Sequence, residues 1–464
     1  MPSFLRRERG FYKRMWLLAL PLILQNLITT SLGFVDTFMV GLLGQNELSA
    51  VTAANSPIFL LQVIIFGLMS GLTVLVSQYW GRGDVDAINR AMGVAMYAGL
   101  GIALVMASAM FFLPRQVMSL VTNNALLIEL GMPYLRIVGI SYIFNAVSSV
   151  YVSMQRSTER PVFGLAVFAA SMLLNTFLNY LLIFGKLGAP ALGVTGAAIA
   201  TLTSRIVEFL IVAVFAAFSR RVPLRPKELL RPGRAMTASF IKYASPVILN
   251  ESLWGLGTTV MTAIMGHMAI SADMLAAYAI MGNIDKFSTV ACFGVAGATA
   301  VIVGKRIGEG AGKEEVYSLG CCLLTVSLGV GVAVAAALAI LLPTVFVPYL
   351  YPLFHLEGLA LRIAVTMCVV YICVMPMKAF DITNITGLLR AGGDARMASV
   401  IDLSPLWVVA VPLTALAALV LDAPVTIVCL CIQTENFCKM PLGILRLRSR
   451  RWINDITRGG GAVS

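Results

Sequence analysis

Charge is scarce in this sequence. Only 12% of its 464 residues are Asp, Glu, Lys or Arg, where a soluble domain carries about one quarter. Hydrophobic residues make up 59%, and the mean hydropathy is +0.89. So apolar a chain lacks the polar surface of a soluble globular protein. Histidine is scarcer still. His267 and His355 lie far apart, near expected loops, and form no catalytic or metal-binding cluster. The eight cysteines show no metal-ligand spacing: Cys321 and Cys322 are neighbours and most others sit in apolar runs, as small buried residues do. The pattern G-x-x-x-x-G-K-[ST] does not occur, and no polar stretch has room for a nucleotide-binding domain. "GRGD" and "GEGAGK" read as turns at span ends. A cleavable leader is not expected either, because "MPSFLRRERGFYKR" runs into a long span without a small-residue cleavage pattern.

What the chain does have is long apolar runs. In a bilayer every backbone polar group must be satisfied internally, so such runs are read as helices of about 20 residues or more. Spans are expected near residues 14–43, 50–79, 89–113, 126–152, 161–185, 192–218, 237–266, 273–303, 317–342, 358–386, 397–421 and 424–445. The fold class is therefore an all-α integral membrane protein of twelve transmembrane helices. Lys and Arg concentrate in alternate loops and at both termini, roughly 26 of the 34, against about two (Arg115 and Lys186) in the other loops. That asymmetry places both termini and the central polar loop on the cytoplasmic side. It also accounts for the net charge of +12 through topology and anionic lipid, without nucleic acid.

The chain repeats itself. "PLILQNLITTSLGFVDTFMVGLLG" from Pro21 echoes "PVILNESLWGLGTTVMTAIMGH" from Pro246, and "GLMSGLTVLVSQYWGRGD" from Gly67 echoes "GVAGATAVIVGKRIGEGA" from Gly294. "YLRIVG" from Tyr134 echoes "ALRIAV" from Ala360. The expected organisation is an N-terminal six-helix lobe over 1–218, an inter-lobe loop over 219–236, a C-terminal six-helix lobe over 237–446 and a tail over 447–464. Two repeats of like orientation are a common plan of secondary transporters, whose sites lie near mid-membrane.

These pieces, with "MQRSTERP", "LNTFLNYLLIFGKLGAPALGVTGAAIAT" and "GLLRAGGDA", resemble in order and spacing the multidrug and toxic compound extrusion (MATE) family, in its bacterial NorM- and DinF-like members. The resemblance implies two pseudo-symmetric six-helix lobes in a V shape. It implies an antiporter, not an enzyme, that exports organic, mostly cationic or amphipathic drugs by alternating access, with H⁺ or Na⁺ as coupling ion and no other cofactor. Small organic cations and membrane lipids are the implied partners, in a monomer in the bacterial inner membrane. A flippase for lipid-linked saccharides of the same superfamily is the alternative. A membrane enzyme would need a convergent nucleophile or metal site, and none is visible.

Polar residues inside the spans are the candidate site. Asp36 stands alone between Arg14 and Glu47, where an acid is costly. It is either a carboxylate reaching the outer surface or an ion or proton site facing a cavity. Asn175 and Asn179 are four apart and share one helical face. In the resembled family an acid in span 1 faces such a pair; in this sequence Thr195 or Thr201 of span 6 is a candidate companion. The family's Na⁺-coupled members use an acid in span 7 and another in span 10, which points to Glu251 and Asp381, at a spacing that differs by a few residues. Lys378 and Asp381, three apart, also suit a pair on one helix face. Arg205 with Glu208 reads as a structural pair near a cytoplasmic end; Asp285, Lys286 and Asp402 are further charges within spans. Gln25, Trp254 and Thr201 are candidate cavity residues, and Pro21 a candidate helix bend below Asp36.

Overall fold

The computed structural model describes residues 3–8, 10–354 and 356–457. His355 and the last seven residues of the expected tail lie outside these. Twelve long helices follow one another: α1 Phe11–Gly41, α2 Gln45–Arg82, α3 Val85–Phe112, α4 Ala125–Ser157, α5 Pro161–Phe184, α6 Gly193–Phe218, α7 Arg234–Gly266, α8 Ser271–Gly308, α9 Lys313–Leu353, α10 Gly358–Leu389, α11 Ala395–Val420 and α12 Val425–Ser449. Ten are long and apolar enough to cross a membrane; α7 and α12 are the two that fall short. Both carry charge inward of their ends, Lys242 and Glu251 in α7, Glu435 and Lys439 in α12. At 1.5 Å per residue α1 spans about 46 Å, more than the ~30 Å hydrocarbon core.

The connections explain the glycine motifs. In "GRGD", Gly83 adopts φ 76° and returns its N–H to the end of α2, while the Asp84 side chain accepts from Ala87 N at 2.9 Å and starts α3. Only a residue without Cβ takes that left-handed angle at little cost. Gly310 does the same after α8, with φ 82°. Both stretches are turns, as their composition indicated.

The long helices divide into two compact units. Among the described residues, one comprises 24–248 with Thr457; the other comprises the residues from Ser3 to Ile23 and 249–456. The division falls inside α1, after Ile23, and inside α7, after Ile248. Trp452 of the tail is fully buried in the second unit, against Gly320 and Gly392. Several helices contain widened, π-type turns, among them Thr383–Leu389 of α10, which begins two residues after Asp381. Such widening relaxes the regular ladder and recurs at functional positions.

Candidate functional site

The sequence candidates gather in two polar clusters within the helices, one in each unit, among the described residues. The first gathers around Asp36, five residues short of the end of α1. Asn179 Nδ2 donates to Asp36 Oδ1 at 2.5 Å and to Asn175 Oδ1 at 3.0 Å. Asn175 Nδ2 in turn donates to Thr201 Oγ1 of α6 at 3.4 Å. Asn175 and Asn179 are almost wholly buried, and Asn179 Oδ1 has no hydrogen-bond partner among the described residues. The four-residue spacing does place both amides on one face of α5, and that face meets α1 and α6 together. Thr201, rather than Thr195, bonds the asparagine pair.

The ladder continues along α6. Thr201, Arg205 and Glu208 follow at helical spacing. Arg205 Nη1 reaches Glu208 Oε2 at 2.7 Å, and Ser171 Oγ of α5 donates to the same oxygen at 3.3 Å. The pair forms as its spacing indicated, but its expected location needs correction. Arg205 lies midway along α6, not at a helix end, and Glu208 is fully buried. Arg205 interacts electrostatically with Asp36 and with Tyr142 of α4. Tyr142 accepts from Gln62 Nε2 at 2.5 Å, and Tyr134 Oη donates to Asn55 Oδ1 at 3.3 Å. Hydropathy gives no hint of these partners, because single Tyr, Gln and Asn residues barely change the mean of a span. Gln25 turns its buried Oε1 toward Gly164 of α5, where a Cβ would come within 3.0 Å. Pro21 lies inside α1, which continues as a helix on both sides of it.

The second cluster lines a cavity of about 140 Å³ between α7, α8, α10, α11 and α12. Five acids face it: Glu251, Asp285, Asp381, Asp402 and Glu435. Lys378, Lys439, Trp254 and Phe293 complete the charged and aromatic lining. Most of these charges are committed. Glu251 Oε1 takes Arg390 Nη2 at 2.8 Å. Lys439 Nζ bridges Asp402 at 2.9 Å and Glu435 at 3.0 Å, and Asn250 Nδ2 donates to the other Asp402 oxygen at 2.8 Å. Lys378 pairs with Asp285 of α8; the expected Lys378–Asp381 pair on one face of α10 does not form. Asp381 is only 3% exposed, and neither carboxylate oxygen has a hydrogen-bond partner among the described residues. Lys286 is exposed and does not line the cavity. Arg390, Glu435 and Lys439 were not among the sequence candidates. A Glu and a Lys four apart inside an apolar span was the available signal, whereas Arg390, within "GLLRAGGDA", reads as a loop residue.

A twelve-helix, two-lobe bundle with polar clusters held inside its helices is the architecture of a multi-pass membrane transporter. The MatE family model matches residues 21–181 and 246–416, and the chain belongs to that family. The two matched stretches begin at Pro21 and Pro246, the starts of the internal repeat. Similar proteins include the Bacillus subtilis uncharacterized transporter YisQ, 23% identical over 93% of this chain and 93% of its own length. The multidrug resistance protein PmpM of Pseudomonas aeruginosa is 24% identical over 88% and 84% of the two chains. Among solved structures, an outward-facing multidrug resistance MATE family transporter of the MOP superfamily superposes with a TM-score of 0.85 at 17% identity, covering 97% of both chains. The Vibrio cholerae MATE transporter VcmN in its bent form gives 0.82 at 20% identity, over 95% and 98%. At these identities the structural likeness speaks for the fold.

Proposed function

We propose that the chain exports organic cations in exchange for protons, with Asp36 as the carboxylate that takes up and releases the proton. The observation that carries this reading is the 2.5 Å hydrogen bond from Asn179 to Asp36, in a network that already holds the Arg205 cation. A Na⁺ site needs several free oxygen ligands at fixed distances. Here Asn179 offers Asp36 its amide N–H rather than an oxygen, and Asn175 Oδ1 already accepts from Asn179, so Asn179 Oδ1 is the one amide oxygen of the pair without a hydrogen bond among the described residues. A second permanent cation would also meet the guanidinium of Arg205. A proton needs neither extra ligands nor extra room. The amide pair can serve both states, because Asn carries donors and an acceptor.

The cavity in the other unit suits the cationic end of a substrate. Five acids face it against two lysines, or three cations once Arg390 is counted with its partner Glu251. Trp254 and Phe293 add aromatic rings to the lining, a residue type whose π-face attracts cations. At about 140 Å³ the space falls below the ~300–1,000 Å³ of a whole drug site, so it admits a charged headgroup. Asp381, with no partner to lose, is the acid positioned to meet it. Glu251 holds Arg390 in place. The positive loops and termini support an inner-membrane protein with both ends in the cytoplasm.

The deciding experiment is efflux of a fluorescent organic cation from proteoliposomes in Na⁺-free buffer under an imposed pH gradient, acidic on the side opposite the substrate. Proton-driven export that vanishes in Asp36→Asn supports the reading. Export that appears only with an inward Na⁺ gradient at constant pH overturns the ion assignment.

A further inference from the structure

An apolar groove of about 480 Å³ is cut into the unit formed by residues 24–248 and shares no lining residue with the Asp36 network. Its walls are α3, through Val94, Tyr97, Ala98 and Ile102, and the first half of α7, through Thr237, Ile241, Ser245 and Ile248. Leu68 of α2 forms the floor. Two close approaches fix this geometry. A Cβ on Gly67 would fall 2.8 Å from Ile248 Cα, and one on Gly71 would fall 2.7 Å from Ala244 Cα. Helix α7 is thus pressed onto α2, and the space left beside α3 stays open. From Thr237 to Ile248 the groove runs about 16 Å at 1.5 Å per residue. Its floor belongs to α2 and one wall to α3, both long and apolar enough to cross a membrane; α7 is the other wall.

One end of the groove is cationic. Tyr97 Oη donates to Leu230 O at 3.0 Å, which lays the segment before α7 across the end of α3. Arg231 follows directly, and Pro232 lines the groove. Arg234 stands at the start of α7 on the stripe that continues through Thr237, Ile241, Ser245 and Ile248. Both arginines are exposed, and neither has an ion-pair partner among the described residues. Their neighbours differ: Arg90 is paired with Glu228, and Arg225 with Asp86.

We propose that this groove holds an acyl chain of one anionic phospholipid, whose phosphate is bound by Arg231 and Arg234. An apolar groove bordered by α2 and α3, with two unpaired cations at one end, has the polarity pattern of such a lipid along its length. The ammonium of a drug would meet the arginines with like charge. A soluble anion would leave the apolar walls uncovered.

The test is native mass spectrometry of the full chain, delipidated in detergent and titrated with phosphatidylglycerol or phosphatidylcholine. The expected result is a saturable single phosphatidylglycerol adduct, with phosphatidylcholine weaker. At about 1 kcal/mol per basic residue, the double variant Arg231→Gln, Arg234→Gln should bind phosphatidylglycerol about 30-fold more weakly. Ser245→Trp, at an exposed wall position, should remove the adduct of either lipid by filling the groove. Thermal unfolding in lipid-free detergent serves as the folding control and should match wild type in both variants. Undiminished adducts in Ser245→Trp would overturn the proposal. So would displacement of the lipid by millimolar inorganic phosphate, which would mark a site for the anion alone.

Discussion

Asn179 donates to Asp36 at 2.5 Å and thereby ties α5 to α1. An intramembrane carboxylate is expensive unless it is hydrogen-bonded or neutralised, and this bond supplies part of the compensation. Replacing Asp36 by Asn keeps the shape and the polar contact while removing the titrating group. Asp36→Asn should fold and insert as wild type does, judged by an unchanged Tm. Proton-driven efflux, and the proton release that accompanies substrate binding, should be lost. A variant that still pumps at the wild-type rate under the same pH gradient would free Asp36 of any coupling role.

In the same network, Glu208 is fully buried and shares one oxygen between Arg205 and Ser171. Breaking a buried ion pair costs about 3–5 kcal/mol because the remaining charge is left uncompensated. Glu208→Leu should therefore lower Tm markedly, and the double variant Arg205→Met, Glu208→Leu should recover most of the loss. Additive losses in the double-mutant cycle would show that the pair contributes no mutual stabilisation.

Asp381 and Glu251 face the same cavity under different constraints, and the difference is measurable. Asp381 has no hydrogen-bond partner, so Asp381→Asn deprives no group of its bond and should leave Tm unchanged or raised. Its affinity for an organic cation should fall about tenfold, the equivalent of ~1.4 kcal/mol. Glu251→Gln weakens the pair with Arg390, which is 1% exposed, and should lower Tm. Isothermal titration with a monovalent cationic dye alongside thermal unfolding separates the two effects. A large Tm loss in Asp381→Asn with unaltered dye affinity would reverse the roles given to these acids.

The spans, the repeat and the shared face of Asn175 and Asn179 were legible for one reason: each is written in local spacing, whereas the meeting of that face with Asp36 was implied only by the family resemblance. Apolar runs of sufficient length specify helices in lipid, and Asn175 and Asn179 share a face whatever they pack against. Pairing across helices is not local. Lys378 has Asp381 within reach on its own helix and takes Asp285 of α8 instead, because the choice depends on how α8 and α10 approach. Gly387 permits that approach, since a Cβ there would fall 2.8 Å from Ala296 O. No hydropathy feature marks Ile23 or Ile248 as the points where α1 and α7 pass from one compact unit to the other. Both points do lie close behind a proline.

Those prolines give the last prediction. Pro21 and Pro246 open the two matched halves of the chain, and each precedes the change of unit within its helix by three residues, at Leu24 and Leu249. Proline has no N–H to offer the carbonyl four residues earlier and crowds it sterically, so the ladder is interrupted at Leu17 in α1 and at Lys242 in α7. Both helices are therefore easiest to bend beside the point where their packing changes partner, a position suited to a hinge. Alanine would restore the missing hydrogen bond and favour the straight helix by up to about 3 kcal/mol. Pro21→Ala and Pro246→Ala should each raise Tm and slow steady-state efflux, while leaving the equilibrium affinity for the exported cation as it was. Measuring turnover and dye affinity on the same preparations distinguishes a stiffened hinge from a damaged site. If either alanine variant gains stability and still turns over at the wild-type rate, bending at that proline is not part of the transport cycle.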